Sequence, residues 1–255
     1  MISYQFLIDA QLRPDKTPDF SAYPFCLPAV RHLGRLEFDP AVTFIVGENG
    51  SGKSTLLEGL AVALGFNAEG GSKNFNFNTR ASHSCLHEYL RLARGVRKPR
   101  DGYFLRAESY FSLATEIERL DEDDSPINSP PIINSYGCRS LHEQSHGESF
   151  LALLEKRFGG KGLYILDEPE AALSPQRQLR ALKRIHELVQ EGSQFVIATH
   201  SPILMAYPEA SIFVCTPDGI RQRAYEDTEH YEVMHDFMAN PRGALKMLLE
   251  TPKEP

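Results

Sequence analysis

A nine-residue glycine-rich segment, GENGSGKST from Gly47 to Thr55, carries the strongest chemical signal in the sequence. It fits the pattern G-x-x-x-x-G-K-[ST], in which glycines let backbone N–H groups turn towards phosphate oxygens. An apolar run, Val42–Val46, precedes it and a helical pattern follows, so a bound phosphate would also meet the positive end of a helix. In this pattern Lys53 reaches the β- and γ-phosphates of a nucleotide, and the Ser54 hydroxyl binds magnesium. The residues predicted to bind the nucleotide here are Gly47, Glu48, Asn49, Gly50, Ser51, Gly52, Lys53, Ser54 and Thr55.

Two adjacent carboxylates, Asp167 and Glu168, follow a second apolar run, Gly162–Leu166. Because successive side chains of a strand point in opposite directions, the two carboxylates can do different jobs. We expect Asp167 to hold magnesium, directly or through water, and Glu168 to polarise the water that attacks a phosphate. An Asp-Glu pair by itself is usually a solvated turn, but together with Lys53 it predicts a nucleotide hydrolase.

A histidine, His200, follows a third apolar run, Phe195–Ala198. Ligands of open α/β sheets bind beyond the carboxyl ends of the strands, so His200 is placed to touch a γ-phosphate. The predicted catalytic residues are Lys53, Glu168 and His200, the predicted magnesium ligands are Ser54 and Asp167, and the predicted cofactors are ATP and Mg²⁺.

The elements that must position these residues alternate between strand and helix patterns, which predicts an α/β fold with a mostly parallel sheet. The alternation over residues 2–8 and the run Leu36–Phe38 predict further strands, which we expect to form an antiparallel N-terminal part. Helices are expected at Lys53–Leu64 and at Ser174–Gln190, the second with Ser174 as its N-cap.

The stretch over residues 81–144 has a different pattern, and we interpret it as a helical insertion within a single domain over residues 1–255. Helices are expected near Leu86–Ala93 and Tyr110–Leu120. A Pro-Asp-Gly turn at residues 217–219 predicts a β-hairpin, and a helical tail follows it.

Composition and charge exclude several classes of protein. No apolar run reaches the ~20 residues of a membrane helix, and the N-terminus lacks the basic flank and apolar stretch of a signal peptide. We therefore expect a cytoplasmic protein without membrane insertion. The net charge of −7 argues against a surface coated by nucleic acid. One basic segment, Arg91–Arg100, could contact nucleic-acid phosphates, although the end of a solvated helix explains it as well.

The order of these motifs resembles that of the ABC-type ATPase superfamily, and the resemblance covers about residues 2–215. The segment that separates this superfamily from other P-loop enzymes is SHGES, Ser145–Ser149. It is similar to the signature motif S-G-G-[QE], although His146 replaces the first glycine. The resemblance implies that Ser145 and Gly147 bind the γ-phosphate of ATP held by a second copy, which predicts an ATP-dependent head-to-tail homodimer. The spacing of Ser145 and Glu148 also fits an ordinary capping box, and the two interpretations are compatible.

More closely, the chain resembles the soluble RecF-like and SMC-like branch and its small AAA_21-type ATPases. Glu148 in place of glutamine and the run EAALSPQRQL after the carboxylates carry this likeness. The chain also departs from the superfamily pattern. Ser174 stands where the D-loop usually has aspartate. No Q-loop glutamine is found near Asn76–Arg80, where Asn78 or Arg80 is the candidate to substitute for it. The candidates for contact with the adenine ring are Phe25, Arg31 and His32.

The function that this resemblance implies is an ATP hydrolase that couples dimerisation and hydrolysis to action on DNA, RNA or an effector protein. DNA repair or defence against foreign DNA is the expectation at the level of the family. The alternative is the ATP-binding subunit of an ABC membrane transporter, against which Glu148 and the missing Q-loop glutamine count. A third reading is a binding scaffold gated by ATP with negligible turnover, and the intact pair of carboxylates argues against it.

Overall fold

The computed structural model describes residues 5–72, 84–106 and 146–249. In chain order the strands are β1 (Leu7–Leu12), β2 (Leu36–Glu37), β3 (Val42–Gly47), β4 (Gly71–Ser72), β5 (Leu90–Arg94), β6 (Asp101–Arg106), β7 (Gly162–Asp167), β8 (Gln194–Ala198), β9 (Ser211–Thr216) and β10 (Gly219–Arg223). The helices are α1 (Pro28–Arg31), α2 (Lys53–Ala63), α3 (Leu86–Tyr89), α4 (His146–Ala152), α5 (Pro175–Gln190), α6 (Pro202–Met205), α7 (Glu229–Ala239) and α8 (Pro241–Leu249).

The larger sheet of the described chain has seven strands in the order β10-β9-β3-β8-β7-β6-β4. The five strands from β9 to β6 in this order run parallel, whereas β10 and β4 pair antiparallel at the two sides. The predicted α/β fold with a mostly parallel sheet is therefore confirmed. Because the parallel strands share one direction, the segments that follow β3, β7 and β8 all emerge at the same edge of the sheet.

Both faces of this sheet are covered, which explains why its central strands are apolar on both sides. In β3, Phe44 belongs to one hydrophobic cluster and its neighbour Ile45 to the other. Helix α5 contributes Ile185 to the first cluster, and α2 contributes Leu57 to the second. Burying one such side chain contributes about 1.5–3 kcal/mol, so these layers hold the strand ends in place.

A second, antiparallel sheet is formed by β1, β2 and β5 in the order β2-β1-β5. The expected N-terminal antiparallel strands are present, although the helix predicted near Leu86–Ala93 is wrong after Tyr89. From Leu90 the chain is a strand in which Leu90 lies opposite Leu12 and Leu92 opposite Ala10. The alternation of leucine and arginine suits a strand, and pairing with β1 decides the outcome. The basic segment is thus a strand and the turn after it, not the end of a helix.

Strand β6 was not predicted from the sequence, yet it lies inside the larger sheet between β7 and β4. Its central residues, Gly102–Leu105, are buried, and Arg106 donates to Glu58 of α2 over 2.8 Å. Strands β5 and β6 therefore place Leu90–Arg94 and Asp101–Arg106 in the two sheets, so this part of the predicted helical insertion is not helical. The remainder of the predicted insertion, including the helix near Tyr110–Leu120, lies outside the described residues.

Helices α2 and α5 begin and end close to the predicted boundaries. Gly65 follows α2 with a φ of +89°, as a glycine that stops a helix does. Ser174 occupies the N-cap position of α5, but its side chain makes no capping hydrogen bond. Helix α4 continues as a π-helical turn, Leu153–Arg157.

The C-terminal part begins with the predicted hairpin, since β9 and β10 pair antiparallel around Gly219. Strand β9 also pairs parallel with β3, where Cys215 lies opposite Gly47. Helices α7 and α8 form the predicted helical tail and expose several large apolar side chains, among them Met238 and Leu248. None of the helices in the described ranges combines the length and apolarity that crossing a bilayer requires.

Candidate nucleotide site

The glycine-rich segment lies between β3 and α2, as its pattern requires. Gly47, Gly50 and Gly52 have φ values of +144°, +80° and +99°, which side chains with a Cβ rarely adopt. At Gly47 a Cβ atom would also come within 2.4 Å of the Cys215 carbonyl oxygen. The loop thus takes the conformation that turns backbone N–H groups towards an anion.

Lys53 lies folded into this loop and is only 4% exposed. Its Nζ donates to the carbonyl oxygens of Gly47, at 2.7 Å, and of Glu48, at 2.9 Å. Burial lowers the pKa of Lys53, and the carboxylates nearby, Glu168 foremost, oppose that shift. A bound phosphate would bring negative charge next to the buried Lys53 ammonium, so the site favours an anionic ligand.

Two oxygen atoms suited to a hard cation meet at the carboxyl end of β7. The Ser54 hydroxyl donates to Oδ1 of Asp167 over 3.0 Å, and Asp167 is 6% exposed. A hydroxyl and a carboxylate are the protein ligands that magnesium takes beside a nucleotide phosphate, and it fills its other positions with water and phosphate oxygens. The two predicted metal ligands are therefore adjacent and fit magnesium.

Glu168 has a backbone conformation that differs from that of the strand before it. Its φ of +49° lies in the left-handed region, and its N–H donates to the Ala198 carbonyl oxygen over 2.9 Å. A non-glycine residue in this region costs of order 1–3 kcal/mol, and such residues cluster at functional sites. The Glu168 side chain is 38% exposed, with Oε1 3.6 Å from Nε2 of His200. The backbone conformation thus changes between Asp167, which ends the strand, and Glu168, and the two expected roles stay predictions.

His200 follows β8 and lies beside Glu168 at the same edge of the sheet. Burial and the charge of Lys53 lower the pKa of His200, while Glu168 opposes the shift. The ring is therefore neutral at neutral pH. Its Nε2 atom is buried and has no hydrogen-bond partner within the described ranges. A neutral ring with one unused nitrogen facing the site can serve a phosphate oxygen or a water.

Glu170 is a site residue that was not singled out in the sequence. Its Oε1 accepts a hydrogen bond from the His200 backbone N–H over 2.6 Å, and burial raises the pKa of its carboxyl. It reaches this position through the short 3₁₀ turn, Pro169–Ala172, that follows Glu168. A third acidic residue so close to the Asp-Glu pair was the only signal in the sequence. Glu170 fixes the backbone from which the His200 side chain extends.

Tyr23 and His230 also lie at the site and were not predicted. The Tyr23 ring is 62% exposed, and its hydroxyl is 3.5 Å from Oγ1 of Thr55. His230, from α7, is 3.3 Å from His200, measured between Nε2 of the first and Nδ1 of the second. No motif surrounds either residue, because packing of distant segments brings them to the loop.

Other predicted residues lie elsewhere. Phe25 is buried, with its ring centroid 4.6 Å from that of Tyr89, so it is not free to stack on a base. Arg31 and His32 are exposed at the end of α1. Gly147 lies in the first turn of α4. Two predictions fall outside the described residues, namely the nucleotide contact of Ser145 and the Q-loop substitutes Asn78 and Arg80.

Comparison with known proteins identifies the family. Residues 26–123 and 149–206 match two families of AAA domain, the second described with AbiEii toxins of type IV toxin–antitoxin systems. A protein of Caldanaerobacter subterraneus named as an ABC transporter ATP-binding protein is 30% identical over 69% of this chain and 77% of its own length. The chain belongs to the ABC-type P-loop ATPases.

Other relatives of this ABC-type ATPase agree on the fold and the nucleotide. An uncharacterized ABC transporter ATP-binding protein of Haemophilus influenzae is 24% identical over 70% of this chain and 71% of its own. The solved structure of cbiO1 from Clostridium perfringens, part of the ABC transporter complex cbiONQ, matches with a TM-score of 0.50 and 17% identity. That match covers 96% of this chain and 100% of the other. This ABC-type ATPase therefore binds and hydrolyses ATP.

Proposed function

We propose that this ATPase hydrolyses ATP by in-line attack of a water molecule that Glu168 orients. What carries the proposal is the meeting of Lys53, the Ser54–Asp167 pair, Glu168 and His200 at one edge of the sheet. Lys53 would neutralise charge on the β- and γ-phosphates as the bond to the leaving group breaks. The exposed Glu168 carboxylate can accept a hydrogen bond from the attacking water, and the His200 Nε2–H can contact the γ-phosphate.

Magnesium would be held by the Ser54 hydroxyl and the Asp167 carboxylate, and it would neutralise charge on the phosphate oxygens.

The residue that we propose to stack on the adenine ring is Tyr23, because its exposed ring offers a flat apolar surface beside Thr55. It replaces Phe25 in this role, since Phe25 is buried.

We propose further that two copies enclose ATP head to tail, with Ser145 and Gly147 of one copy at the γ-phosphate of the other. The likeness of this segment to the signature motif supports the arrangement. An ion pair between Glu148 and Arg177, at 3.2 Å, joins the first turn of α4 to α5. The test is the solution mass of Glu168→Gln with and without magnesium and ATP. A change from monomer to dimer only with ATP is expected, and a monomer with ATP demonstrably bound would exclude the dimer.

The partner that the relatives favour is the membrane component of an ABC transporter. Relatives that cover most of this chain are named as transporter ATP-binding proteins, whereas nothing in the comparisons supports action on DNA. A second candidate is a soluble effector protein, which the match of residues 149–206 to an AAA domain described with AbiEii toxins favours. The sequence favoured a soluble ATPase that acts on DNA, RNA or an effector protein over a transporter subunit, and the relatives reverse this order.

An affinity purification distinguishes these two partners. Tagged Glu168→Gln, which should retain ATP, would be recovered from detergent extracts of its native cells in the presence of magnesium and ATP. Stoichiometric recovery of a protein with several membrane spans supports the transporter subunit. Stoichiometric recovery of a soluble protein instead would support the effector and rule out the transporter.

A further inference from the structure

His230 reaches the catalytic edge through a series of contacts that fixes the start of α7. The Tyr225 hydroxyl donates to the Pro202 carbonyl oxygen over 2.9 Å, which joins this region to the segment after His200. Thr228 donates from its hydroxyl to the Tyr225 carbonyl oxygen over 2.7 Å and caps α7 by accepting from the Tyr231 N–H. His230 lies in the first turn that this cap defines. Its position is therefore set by the fold.

The cleft into which His230 faces is part of the nucleotide edge. The cleft is lined by Glu48 and Asn49 of the glycine-rich loop, by His200 and by residues of α7. The two imidazole rings have centroids 5.5 Å apart and are tilted by 46°. A tilted approach directs one ring nitrogen at the other, which is the geometry of a hydrogen bond and not of stacked rings.

The chemistry of the neighbours decides which nitrogen carries a proton. Nε2 of His200 faces the Glu168 carboxylate, which only accepts hydrogen bonds when ionised, so a favourable contact requires a proton on that Nε2. In a neutral ring Nδ1 is then an acceptor. The atom within reach of it is Nε2 of His230, which must therefore be the donor.

We propose that His230 is a positioning residue for ATP hydrolysis. The Nε2–H of His230 donates to Nδ1 of His200 and thereby keeps the Nε2–H of His200 directed at Glu168 and the γ-phosphate. The inference rests on the proposed contact of His200 with the γ-phosphate. Without His230, the His200 ring can turn about its side-chain bonds and adopt the other tautomer, which places a lone pair at the site. In this proposal His230 acts through the His200 ring and has no direct role at the phosphates or the attacking water.

Charged groups around the pair are compatible with this arrangement. Lys53 and burial favour the neutral form of both rings, whereas Glu168 faces His200, and Glu229 and Glu170 face His230. Both rings are neutral at neutral pH, so one can donate and the other accept.

Two substitutions of His230 test whether the side chain must be long enough to donate a hydrogen bond to His200, or whether any polar side chain is sufficient. In His230→Gln the side-chain amide reaches the place of Nε2 and can donate, whereas in His230→Asn it is too short. The matched control is His235→Asn, which removes an exposed histidine of the same helix that pairs with Asp236. We expect His230→Asn to lower kcat about tenfold with KM changed less than about twofold, and His230→Gln to recover most of the loss. His235→Asn should leave both constants unchanged.

A double-mutant cycle with His200→Ala separates this inference from the proposed function. In that background His230→Asn should have no further effect on kcat, since no ring remains to be positioned. If His200→Ala leaves kcat unchanged, the proposed role of His200 fails and this inference fails with it. If His200→Ala lowers kcat but His230→Asn behaves like His235→Asn, or acts equally without His200, only the inference is overturned. Nitrogen NMR of labelled histidines should show His200 protonated at Nε2, and protonation at Nδ1 would also overturn it.

Discussion

At the edge where β7 and β8 begin, two buried polar side chains, Gln194 and Tyr164, have all their polar atoms hydrogen bonded. At the edge where these strands end, several buried polar atoms have no such partner among the described residues. Gln194, the first residue of β8, shows the first condition. Its Oε1 accepts from the N–H groups of Phe6 and Leu7, and its Nε2 donates to the carbonyl oxygens of Leu7 and Asp39. One side chain thereby joins the small N-terminal sheet to the larger one.

Tyr164 gives a second example at the starting edge. Its single hydroxyl proton is shared between two acceptors, Oδ2 of Asp101 at 2.9 Å and the Gly159 carbonyl oxygen at 2.7 Å, and the hydroxyl oxygen accepts from the Gly159 N–H. Arg157 donates to the same aspartate. Burial raises the pKa of the Tyr164 hydroxyl, so the group stays protonated and its bonds persist over the physiological range. Hydrogen bonds between buried side chains and the backbone thus stabilise the fold at this edge.

The ending edge has the opposite character. Ser51 Oγ, Glu170 Oε2 and His200 Nε2 are buried there without hydrogen-bond partners among the residues described. Glu168 has a left-handed backbone, and Lys53 is buried with a lowered pKa. Each of these features lowers the folding stability of the protein without nucleotide. The sheet is therefore stabilised by hydrogen bonds at one edge and keeps unused hydrogen-bonding atoms at the other, within the part of the chain that the structure describes.

The largest effect that would test this division is expected for Lys53→Met. Loss of the ammonium should lower kcat/KM for ATP about 10²–10³-fold, because the charge on the phosphates is no longer neutralised. The lowered pKa of Lys53 means that its charge costs stability in the folded state, so the melting midpoint without nucleotide should be equal to or above that of the wild type. Calorimetry and steady-state kinetics check both. A midpoint well below that of the wild type would show that Lys53 has a structural role.

A large but different effect is expected at the other edge for Gln194→Met. The change leaves two buried N–H groups and two carbonyl oxygens without their partner, which should destabilise the fold by about 3 kcal/mol. Urea unfolding measures this loss, while turnover per folded molecule should be unchanged. The control is Gln190→Met, at an exposed position of α5, which should stay within about 0.5 kcal/mol. Equal unfolding curves for the two variants would contradict the assigned role of Gln194.

The smallest effect concerns pH. The pKa values of His200 and His230 lie below the ordinary value, so the unfolded chain takes up protons first as the pH falls. The stability that these rings contribute is complete above about pH 6.5 and decreases below it. Between pH 7 and pH 5 the wild type should therefore lose more of its melting midpoint than His230→Gln does, by about 2 °C. An equal loss in the two proteins would exclude the titration of this pair as the cause.

The sequence predicted the parallel sheet and the arrangement of Lys53, Asp167 and Glu168 well, because these depend on local patterns. An apolar run, a glycine-rich turn and a helix are contiguous, and parallel strands bring their ends to one edge. The structure brings together Ser54 and Asp167, which are 113 residues apart, for this reason. The roles of Lys53, Asp167, Glu168 and Ser145 in binding and catalysis stay predictions.

Features that depend on packing between distant segments could not be predicted in the same way. Strand β6 follows a basic turn and is recognisable only through its pairing with β7 and β4. A helix was expected to continue after Tyr89, but these residues form a strand because their backbone groups pair with those of β1. His230 lies thirty residues beyond His200 and reaches it through α6 and the β9–β10 hairpin. No spacing rule connects residues across such a path.

The contact of Gly47 with β9 has a consequence for any survey of tolerated substitutions. Every side chain at position 47 would meet the Cys215 carbonyl oxygen, whether or not a nucleotide is bound. A deep mutational scan that scores abundance alone should therefore reject substitutions at Gly47 and accept many at Lys53. In such a scan two positions of the same nucleotide-binding segment would be assigned to different classes, although a scan for growth would make them indistinguishable.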